Sequence, residues 1–418
     1  MPVRAAMTLA ESFFSPLMMA QSQVCACVEP SVNISPVSTS PLPSQRALFD
    51  IPDHIAYFNC AYMSPLLLTS VAAGIEGLQA KAAPWLITPP DFFSTVEKLR
   101  GVAASLFGAT ENDLAIVPSA SYGLAVAAKN LVVKPGQQIL VLAEQYPSNF
   151  YVWKELAAQN GAHLHTVPRP ANNDWTGAVV NAVNTQTAIA ALPHCHWTDG
   201  TLVDLAVVRR ALDQVDGALV VDLTQSLGAL TFDAQVIRPD FAVAAGYKWL
   251  LGPYSTGLLY IAPQHQQGLP LEFGPFSRLD AVKFSELVNY RDEFAPGARR
   301  FDVGERANFT LLPVLLNSLQ QILSWEVSRI EATLCRTTSA IAERAKELGL
   351  EVVEPHQRAG HFLGLRFPQG LPANIGERLA QHHIYASIRG DSLRVTPYLY
   401  NTDRDIDRFL DTLQNILR

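Results

Sequence analysis

Short apolar runs rich in β-branched residues alternate with amphipathic stretches along most of the chain, from residue 49 onward. Apolar runs without polar alternation are typical of strands that are buried on both faces. The predicted strands are 138–142, 187–192, 218–221, 241–245 and 257–261, and the predicted helices are 92–107, 149–160 and 202–214. This order predicts the α/β fold class, with a doubly wound, mainly parallel sheet.

The pattern changes after Pro296 and Gly297. A long helical region is predicted over 309–348, followed by strand-like 361–367, a helix near 374–382, strand-like 384–389 and 393–396, and a last helix over 403–417. We therefore predict a large α/β domain over 46–298 and a smaller C-terminal α+β domain over 299–418. Whether the first segment of the large domain packs on the small one is left open.

Residues 1–45 differ from the rest of the chain. They contain three charged side chains (Arg4, Glu11 and Glu29), they are rich in Ser and Pro toward their end, and they sustain no hydrophobic period. This composition predicts a disordered leader. Glu11 interrupts the apolar part, which argues against a secretory signal. An untranslated leader and another targeting role remain open.

Charge and cysteine content exclude several classes of protein. The 418 residues include 31 Lys and Arg against 38 Asp and Glu, a net charge of −7, which argues against nucleic acid as a partner. Five cysteines without paired spacing favour a reducing, cytoplasmic location over a disulfide framework. No apolar run approaches 18 residues, so no membrane span is predicted.

Two predicted strands end at single charged residues. Asp222 follows 218–221 directly, and Lys248 follows 241–245 after two intervening residues. Both side chains are expected at the carboxyl edge of the sheet, where open α/β sheets bind ligands. A lysine that can form a Schiff base, beside an acid that can hold a pyridine nitrogen protonated, is what a pyridoxal phosphate (PLP) site requires.

Three segments carry a resemblance to a known family. They are Val-Asp-Leu-Thr-Gln at 221–225, Ala-Gly-Tyr-Lys-Trp-Leu-Leu-Gly-Pro at 245–253, and Leu-Arg-Val-Thr-Pro-Tyr-Leu-Tyr-Asn-Thr at 393–402. With these segments the chain resembles the class V aminotransferase family of fold-type I PLP enzymes, which includes cysteine desulfurases, kynureninases and isopenicillin-N epimerase-like proteins. The resemblance covers residue 57 to the C-terminus and implies the fold-type I transferase architecture with PLP as cofactor.

The resemblance implies roles for five residues. Lys248 is the lysine that forms the Schiff base with the cofactor and moves protons at the substrate α-carbon. Asp222 pairs with the pyridine nitrogen, Gln225 hydrogen-bonds the ring 3-oxygen, and Tyr146 stacks on the ring. Arg394 binds the carboxylate of the substrate.

The phosphate of the cofactor is expected at the start of the helix that follows 114–117. Ala120 and Ser121 match the hydroxyl-bearing pair of the family, and only Ser121 keeps the hydroxyl. Tyr247 stands where relatives place His or Tyr against the phosphate. The family often completes this site with a Thr-Pro loop from a partner subunit; that pair is absent here, and Arg306 in the matching stretch is an alternative phosphate ligand or an exposed cation. A homodimer is therefore expected.

The reaction itself is left open between transamination, lyase chemistry of the kynureninase or β-elimination type, and epimerisation of an amino acid or amine substrate. A non-catalytic protein on this scaffold is disfavoured by the presence of Asp222, Gln225 and Lys248 together. No cysteine lies between residues 356 and 394, which argues against persulfide formation as in desulfurases. Trp197 replaces an Asn or Tyr of the family. His194 and His196 lack a third ligand in sequence, so no metal is predicted.

Overall fold

The structure is a computed structural model, and it describes residues 40–418. Most of the predicted leader therefore lies outside the described residues. Of its last part, Leu42 donates its backbone N–H to Thr333 Oγ1 at 2.8 Å, and Gln45 donates its backbone N–H to the carbonyl of Leu399 at 2.8 Å. These described residues thus contact the C-terminal part of the chain.

Strands and helices alternate as the apolar pattern predicts. The strands are β1 (Ala56–Tyr57), β2 (Leu114–Val117), β3 (Gln138–Leu142), β4 (His163–Val167), β5 (Thr187–Pro193), β6 (Ala218–Asp222), β7 (Phe241–Ala245), β8 (Gly257–Ile261), β9 (Glu351–Val352), β10 (Leu363–Arg366), β11 (Ile384–Tyr385), β12 (Ser387–Arg389) and β13 (Ser392–Val395). The helices are α1 (Leu68–Ala82), α2 (Asp91–Phe107), α3 (Ala120–Asn130), α4 (Ser148–Asn160), α5 (Trp175–Ala182), α6 (Leu205–Asp213), α7 (Ala234–Ile237), α8 (Leu311–Trp325), α9 (Val327–Glu347), α10 (Ile375–Gln381) and α11 (Asp403–Leu417).

A seven-stranded sheet within residues 40–418 forms the centre of the large lobe. Its order is β2-β8-β7-β6-β5-β3-β4. The neighbours from β7 through to β4 pair in parallel, and β8 runs antiparallel to both β2 and β7. The strands at its centre are buried on both faces, because helices cover the two sides and form two separate hydrophobic clusters. The mainly parallel, doubly wound sheet predicted from the sequence is confirmed.

A smaller lobe is built on the antiparallel sheet β12-β13-β10-β9. A third hydrophobic cluster fills it, with contributions from α9, α10 and α11. β1, from the first segment of the chain, pairs in parallel with β11 of this lobe. Helix α8 lies after the predicted domain boundary at 298/299, yet its buried side chains belong to the core of the large lobe.

Two elements are divided where the sequence predicts a continuous one. The helical region 309–348 breaks at Glu326, which has a φ of 64°, so α8 ends there and α9 begins in a new direction. The strand predicted over 384–389 consists of β11 and β12, which pair with different partners. Among residues 40–418, no helix combines the length and the apolar character that crossing a bilayer demands.

Candidate active site

A cavity of about 360 Å³ opens at the carboxyl ends of β5, β6 and β7, beside the start of α3. We call it the main cavity. The last residues of the three strands, Pro193, Asp222 and Ala245, line it, and so does Ala120 at the start of α3. A second cavity of about 300 Å³, the mouth cavity, shares Lys248 with it and extends toward β12 and β13. This is the edge of the sheet at which α/β folds bind ligands.

Asp222 is a buried carboxylate at the floor of the main cavity. It is 8% exposed, and its Oδ1 accepts the backbone N–H of Thr224 at 2.9 Å. Burial raises the pKa of this carboxyl group, while the hydrogen bonds from Thr224 and the charge of Lys248 oppose the rise. A buried acid of this kind gains from a ligand that offers a protonated ring nitrogen.

Lys248 lies in the loop that follows β7 and lines both cavities. Its Nζ is 5.3 Å from the ring centre of Tyr146 and 5.5 Å from that of Tyr247. Burial and the nearby Arg394 lower the pKa of this amine to about 8, and Asp222 acts in the opposite direction. A lysine with a lowered pKa in a cavity is available as a nucleophile near neutral pH.

Gln225 is fixed on several sides. Its side-chain Nε2 donates to the carbonyl of Ala61 at 3.2 Å, and its Oε1 accepts the indole N–H of Trp249 at 3.0 Å. Its own backbone carbonyl accepts from His361 Nε2 at 2.6 Å. Because the amide carries two N–H groups, one remains for a ligand in the main cavity.

Tyr146 and Trp197 form one wall shared by both cavities. Their rings meet edge to face, with centres 5.4 Å apart. The indole N–H of Trp197 donates to the carbonyl of Glu144 at 2.6 Å, which holds the ring in place. Trp197, which replaces an Asn or Tyr of the family, therefore lines the site.

The start of α3 faces the main cavity at the end away from Arg394. Ser119 is the N-cap and accepts the N–H of Tyr122 at 3.1 Å, while Ser121 Oγ donates to Ser148 Oγ at 2.8 Å. A helix start with hydroxyl groups is suited to an anion such as phosphate. Tyr247 also lines the cavity, and its ring contacts that of Tyr254. Lys248 is the only Lys or Arg among the described residues that line the main cavity.

Arg394 lines the mouth cavity and is 1% exposed. Its Nε donates to Ser387 Oγ at 3.1 Å and its Nη1 to the carbonyl of Trp197 at 3.1 Å. Its Nη2 is buried and has no hydrogen-bond partner within the part of the chain that the structure describes. Burial, together with the charge of Arg389, lowers the pKa of this guanidinium to about 9. An unpaired, buried N–H group on a fixed guanidinium is a ready contact for a carboxylate.

Two candidates from the sequence lie away from the cavities. Arg306 is buried, forms an ion pair with Asp302 at 3.0 Å, and lines neither cavity in this subunit. His196 Nδ1 lies 2.7 Å from Thr198 Oγ1, and its ring stacks on Trp175. Among residues 40–418, no group of three or more possible ligands could hold a metal ion.

The structure also brings in residues that the sequence analysis did not select. Thr224, two positions after Asp222, is placed by an Asx-type turn that the Asp-x-Thr spacing could have indicated. Ser387 and His361 had no comparable signal. Ser387 meets Arg394 through the register of β12 and β13, and His361 meets Gln225, which is 136 positions away in sequence.

Comparisons with known proteins agree with this arrangement. A family model described as aminotransferase class-V matches residues 90–409. An uncharacterized aminotransferase of Schizosaccharomyces pombe is 23% identical over 88% of this chain and 94% of its own length. A probable cysteine desulfurase of Methanothermobacter thermautotrophicus is 23% identical over 88% of this chain and 96% of its own length. Isopenicillin N epimerase of Streptomyces clavuligerus is 24% identical over 74% and 81% of the two chains.

Solved structures show the same fold. A mutant of C-DES with glycine covalently linked to its PLP cofactor superposes with a TM-score of 0.79 at 20% identity, over 88% of this chain and 99% of that one. The apo structure of a cysteine desulfurase from Thermococcus onnurineus NA1 gives a TM-score of 0.77 at 17% identity, over 90% and 99% of the two chains. These likenesses confirm the fold-type I architecture.

The residues of the main cavity fit PLP. A buried carboxylate is in place for the pyridine nitrogen, an amine of lowered pKa for the aldehyde, and a helix start with hydroxyl groups for the phosphate. The family model spans more than half of the chain. The chain therefore belongs to the class V aminotransferase family and is a PLP-dependent enzyme, as its sequence segments predict.

Proposed function

We propose that the protein is an aminotransferase that acts on an α-amino acid, with Lys248 as the residue that holds PLP and moves the proton at the α-carbon. One observation carries this proposal. Lys248 lines both cavities, the buried Asp222 lines the main cavity, and the buried Arg394 lines the mouth cavity with an Nη2 that has no partner among the described residues.

Each residue of the main cavity has a task in this proposal. When bound, PLP supplies an electron sink for charge that develops at the α-carbon. Asp222 would hold the pyridine nitrogen by a hydrogen bond, which its burial would strengthen. Gln225 would donate its free N–H to the ring 3-oxygen, and Tyr146 would pack against the ring. Lys248, with its lowered pKa, accepts and returns a proton near neutral pH.

Arg394 orients the substrate. Ser387 and the Trp197 carbonyl fix the guanidinium, so that Nη2 and Nη1 can meet a carboxylate in the plane of the fork. A substrate held at its carboxylate presents its α-carbon to the Lys248 amine in the shared part of the two cavities. The pKa of Arg394 rises again when that carboxylate is bound, because a neighbouring anion stabilises the charged form of the guanidinium.

We also propose that two copies of the chain form the working unit. At the phosphate end of the main cavity, the described lining residues offer hydroxyl groups and backbone N–H groups but no arginine. Helix α1, which follows the Tyr62 and Met63 lining of the mouth cavity, presents an exposed apolar stripe to solvent. A second copy seated on this stripe would cover the stripe and reach the edge of the site.

Persulfide chemistry receives no support from the described cysteines. Cys335 is exposed on α9 and lines neither cavity. Burial raises the pKa of the thiols of Cys60 and Cys195 well above the usual range, so neither is an available thiolate. We propose a cytoplasmic location, which suits these unpaired thiols.

The proposed function is tested by a screen of amino donors followed through the absorbance of the bound cofactor. Without an α-keto acid, a transaminase converts its PLP once to pyridoxamine phosphate, and adding a keto acid restores the starting spectrum. Catalytic turnover without any keto acid, with release of ammonia or of a side-chain fragment, would assign a lyase instead. Absence of any spectral response across all donors would overturn the proposal.

A further inference from the structure

The mouth cavity contains a second arginine that the proposed function does not use. Arg389 and Arg394 both line this cavity, and no Asp or Glu is among its described lining residues. Arg389 donates from Nη1 to the carbonyl of Ile388 at 2.7 Å. Its guanidinium lies 5.7 Å from the ring centre of Trp197, on the wall of the cavity. This contact holds the charged group at the cavity and leaves most of its N–H groups available.

The register of the small sheet explains why both arginines face the same space. Ser387 of β12 lies directly opposite Arg394 of β13, and Arg389 lies two positions along from Ser387. Residues opposite each other in an antiparallel pair share a face, and so do alternate residues of one strand. Arg389 is therefore the diagonal neighbour of Arg394 on the face that carries the site, and a two-residue spacing in β12 fixes this placement.

The charges of the mouth cavity are unbalanced without a ligand. Lys248, Arg389 and Arg394 contribute positive charge, and neither arginine forms an ion pair with a carboxylate in residues 40–418. The positive charge of Arg389 lowers the pKa of both Lys248 and Arg394, as expected of like charges in one cavity. A ligand with one carboxylate can pair with one guanidinium and leaves the other without an anionic partner. A ligand with two acidic groups can pair with both guanidinium groups.

We propose that the substrate is an amino acid with a second acidic group, and that Arg389 binds this side-chain acid while Arg394 binds the α-carboxylate. The inference rests on the proposed function and names its substrate class. The half-buried Arg389 lies nearer the opening than the fully buried Arg394, which suits a side chain that points outward from a fixed α-carbon. Aspartate and glutamate share this chemistry and differ in reach.

Substrates matched in shape test the proposal with the holoenzyme. We compare kcat/KM for glutamate with glutamine, and for aspartate with asparagine, because each pair differs in the side-chain charge and hardly in size. The wild-type protein should prefer one of the acids over its amide by about tenfold or more, as expected for one charge-assisted contact. Arg389→Gln should reduce this ratio to near one. Arg336→Gln, which removes an exposed arginine on α9, is the matched control and should keep the ratio.

Binding of unreactive acids gives a second readout that does not depend on turnover. Calorimetric titration of the holoenzyme with glutarate and with pentanoate compares two chains of the same length with two and one carboxylates. Glutarate should bind about tenfold more tightly, and Arg389→Gln should remove that advantage. Equal binding of the two acids, together with equal use of glutamate and glutamine, would overturn the inference.

Three further outcomes test this inference separately from the proposed function. If Arg389→Gln weakened the acid and its amide equally, Arg389 would support Trp197 and not contact the substrate, and the inference would be wrong. If neutral amino acids were transaminated better than acidic ones, the proposed function would stand and the inference would fail. If Arg389-dependent glutarate binding were found without any transamination, the acid-binding assignment would stand and the proposed function would fail.

Discussion

Three neighbouring charges act on the amine of Lys248. Burial and the positive charges of Arg394 and Arg389 favour the neutral amine, whereas the carboxylate of Asp222 favours the ammonium. The balance brings the pKa from 10.5 to about 8. The neutral amine is the nucleophile, so its fraction increases as the pH rises through about 8.

This balance predicts the pH dependence of cofactor attachment. In protein stripped of PLP, the rate of covalent attachment should rise with pH and level off within about one unit above pH 8, as measured by stopped-flow absorbance. Arg394→Gln removes a positive neighbour and should move the midpoint upward. A wild-type midpoint near the ordinary lysine value would contradict the assigned environment.

Replacement of Lys248 tests its covalent role directly. Lys248→Ala should still bind PLP through Asp222 and the start of α3, but borohydride should no longer fix the cofactor to the chain, because no other lysine lines either cavity within residues 40–418. Mass spectrometry of the reduced protein measures this. Lys154→Ala, which removes an exposed lysine of α4, should leave fixation unchanged. Fixation in the Lys248 variant would disprove the assignment.

Arg394 should discriminate substrates through geometry as well as charge. Arg394→Lys keeps the charge but loses the planar fork that Ser387 and Trp197 hold in place. We expect a loss on the order of 2 kcal/mol in transition-state binding, about thirtyfold in kcat/KM, with a normal cofactor spectrum. Arg404→Lys, on the exposed side of α11, is the control. Steady-state kinetics at the parental rate would mean that the carboxylate binds elsewhere.

For single residues, the sequence predicts the site residues that directly follow strands. It does not predict the residues that only the tertiary fold brings to the site. Asp222 and Lys248 stand out because each is the first charged group after an apolar run. Arg389 carries no such signal, because no sequence pattern shows that β12 and β13 pair in the register that places it beside Arg394. The contact of His361 with the Gln225 carbonyl could not be predicted from the sequence either, since only the fold brings the two residues together.

Helix α1 depends on glycine where it crosses the segment before α8. A Cβ on Gly77 would overlap the backbone carbonyl of Phe309 and approach the Cα of Thr310. Because backbone atoms cannot easily move aside, Gly77→Ala should lower the free energy of unfolding by roughly 1–3 kcal/mol. This loss should outweigh the higher helix propensity of alanine. Gly101→Ala in α2, whose Cβ would meet only Glu111 Oε2 at 3.9 Å, should raise it by up to about 1 kcal/mol. Urea unfolding of the holoenzyme measures both; equal effects would contradict this packing.

Element boundaries follow from the sequence where apolar runs are sharply bounded. β3, β7 and β8 begin and end at the predicted residues. The direction of β8 was not predicted, although the short connection from β7, without a helix, is too brief for a parallel crossover. The break at Glu326 gave no signal, because neither Gly nor Pro stands there and the positive φ is imposed by packing on both sides.

At the scale of the whole molecule, helix α1 carries an apolar stripe that would be exposed to solvent in a monomer. Leu68, Val71, Ile75 and Leu78 recur at helical spacing on α1 and are between 43% and 62% exposed. We expect a homodimer in sedimentation velocity experiments. Ile75→Glu should shift the protein toward monomer and weaken PLP retention, whereas Ala80→Glu, on another side of α1, should not. A wild-type monomer with full cofactor occupancy would contradict this.

The pairing of β1 with β11 joins residues that lie about 330 positions apart along the chain. The ribosome adds roughly 5 to 20 residues per second, so β1 leaves it about a quarter of a minute to a minute before its partner exists. The small lobe cannot close during that interval, whereas β3 to β8 can already pair with one another. Synthesis therefore allows the large sheet to form first, and β1 can pair only after β11, near the C-terminus, has left the ribosome.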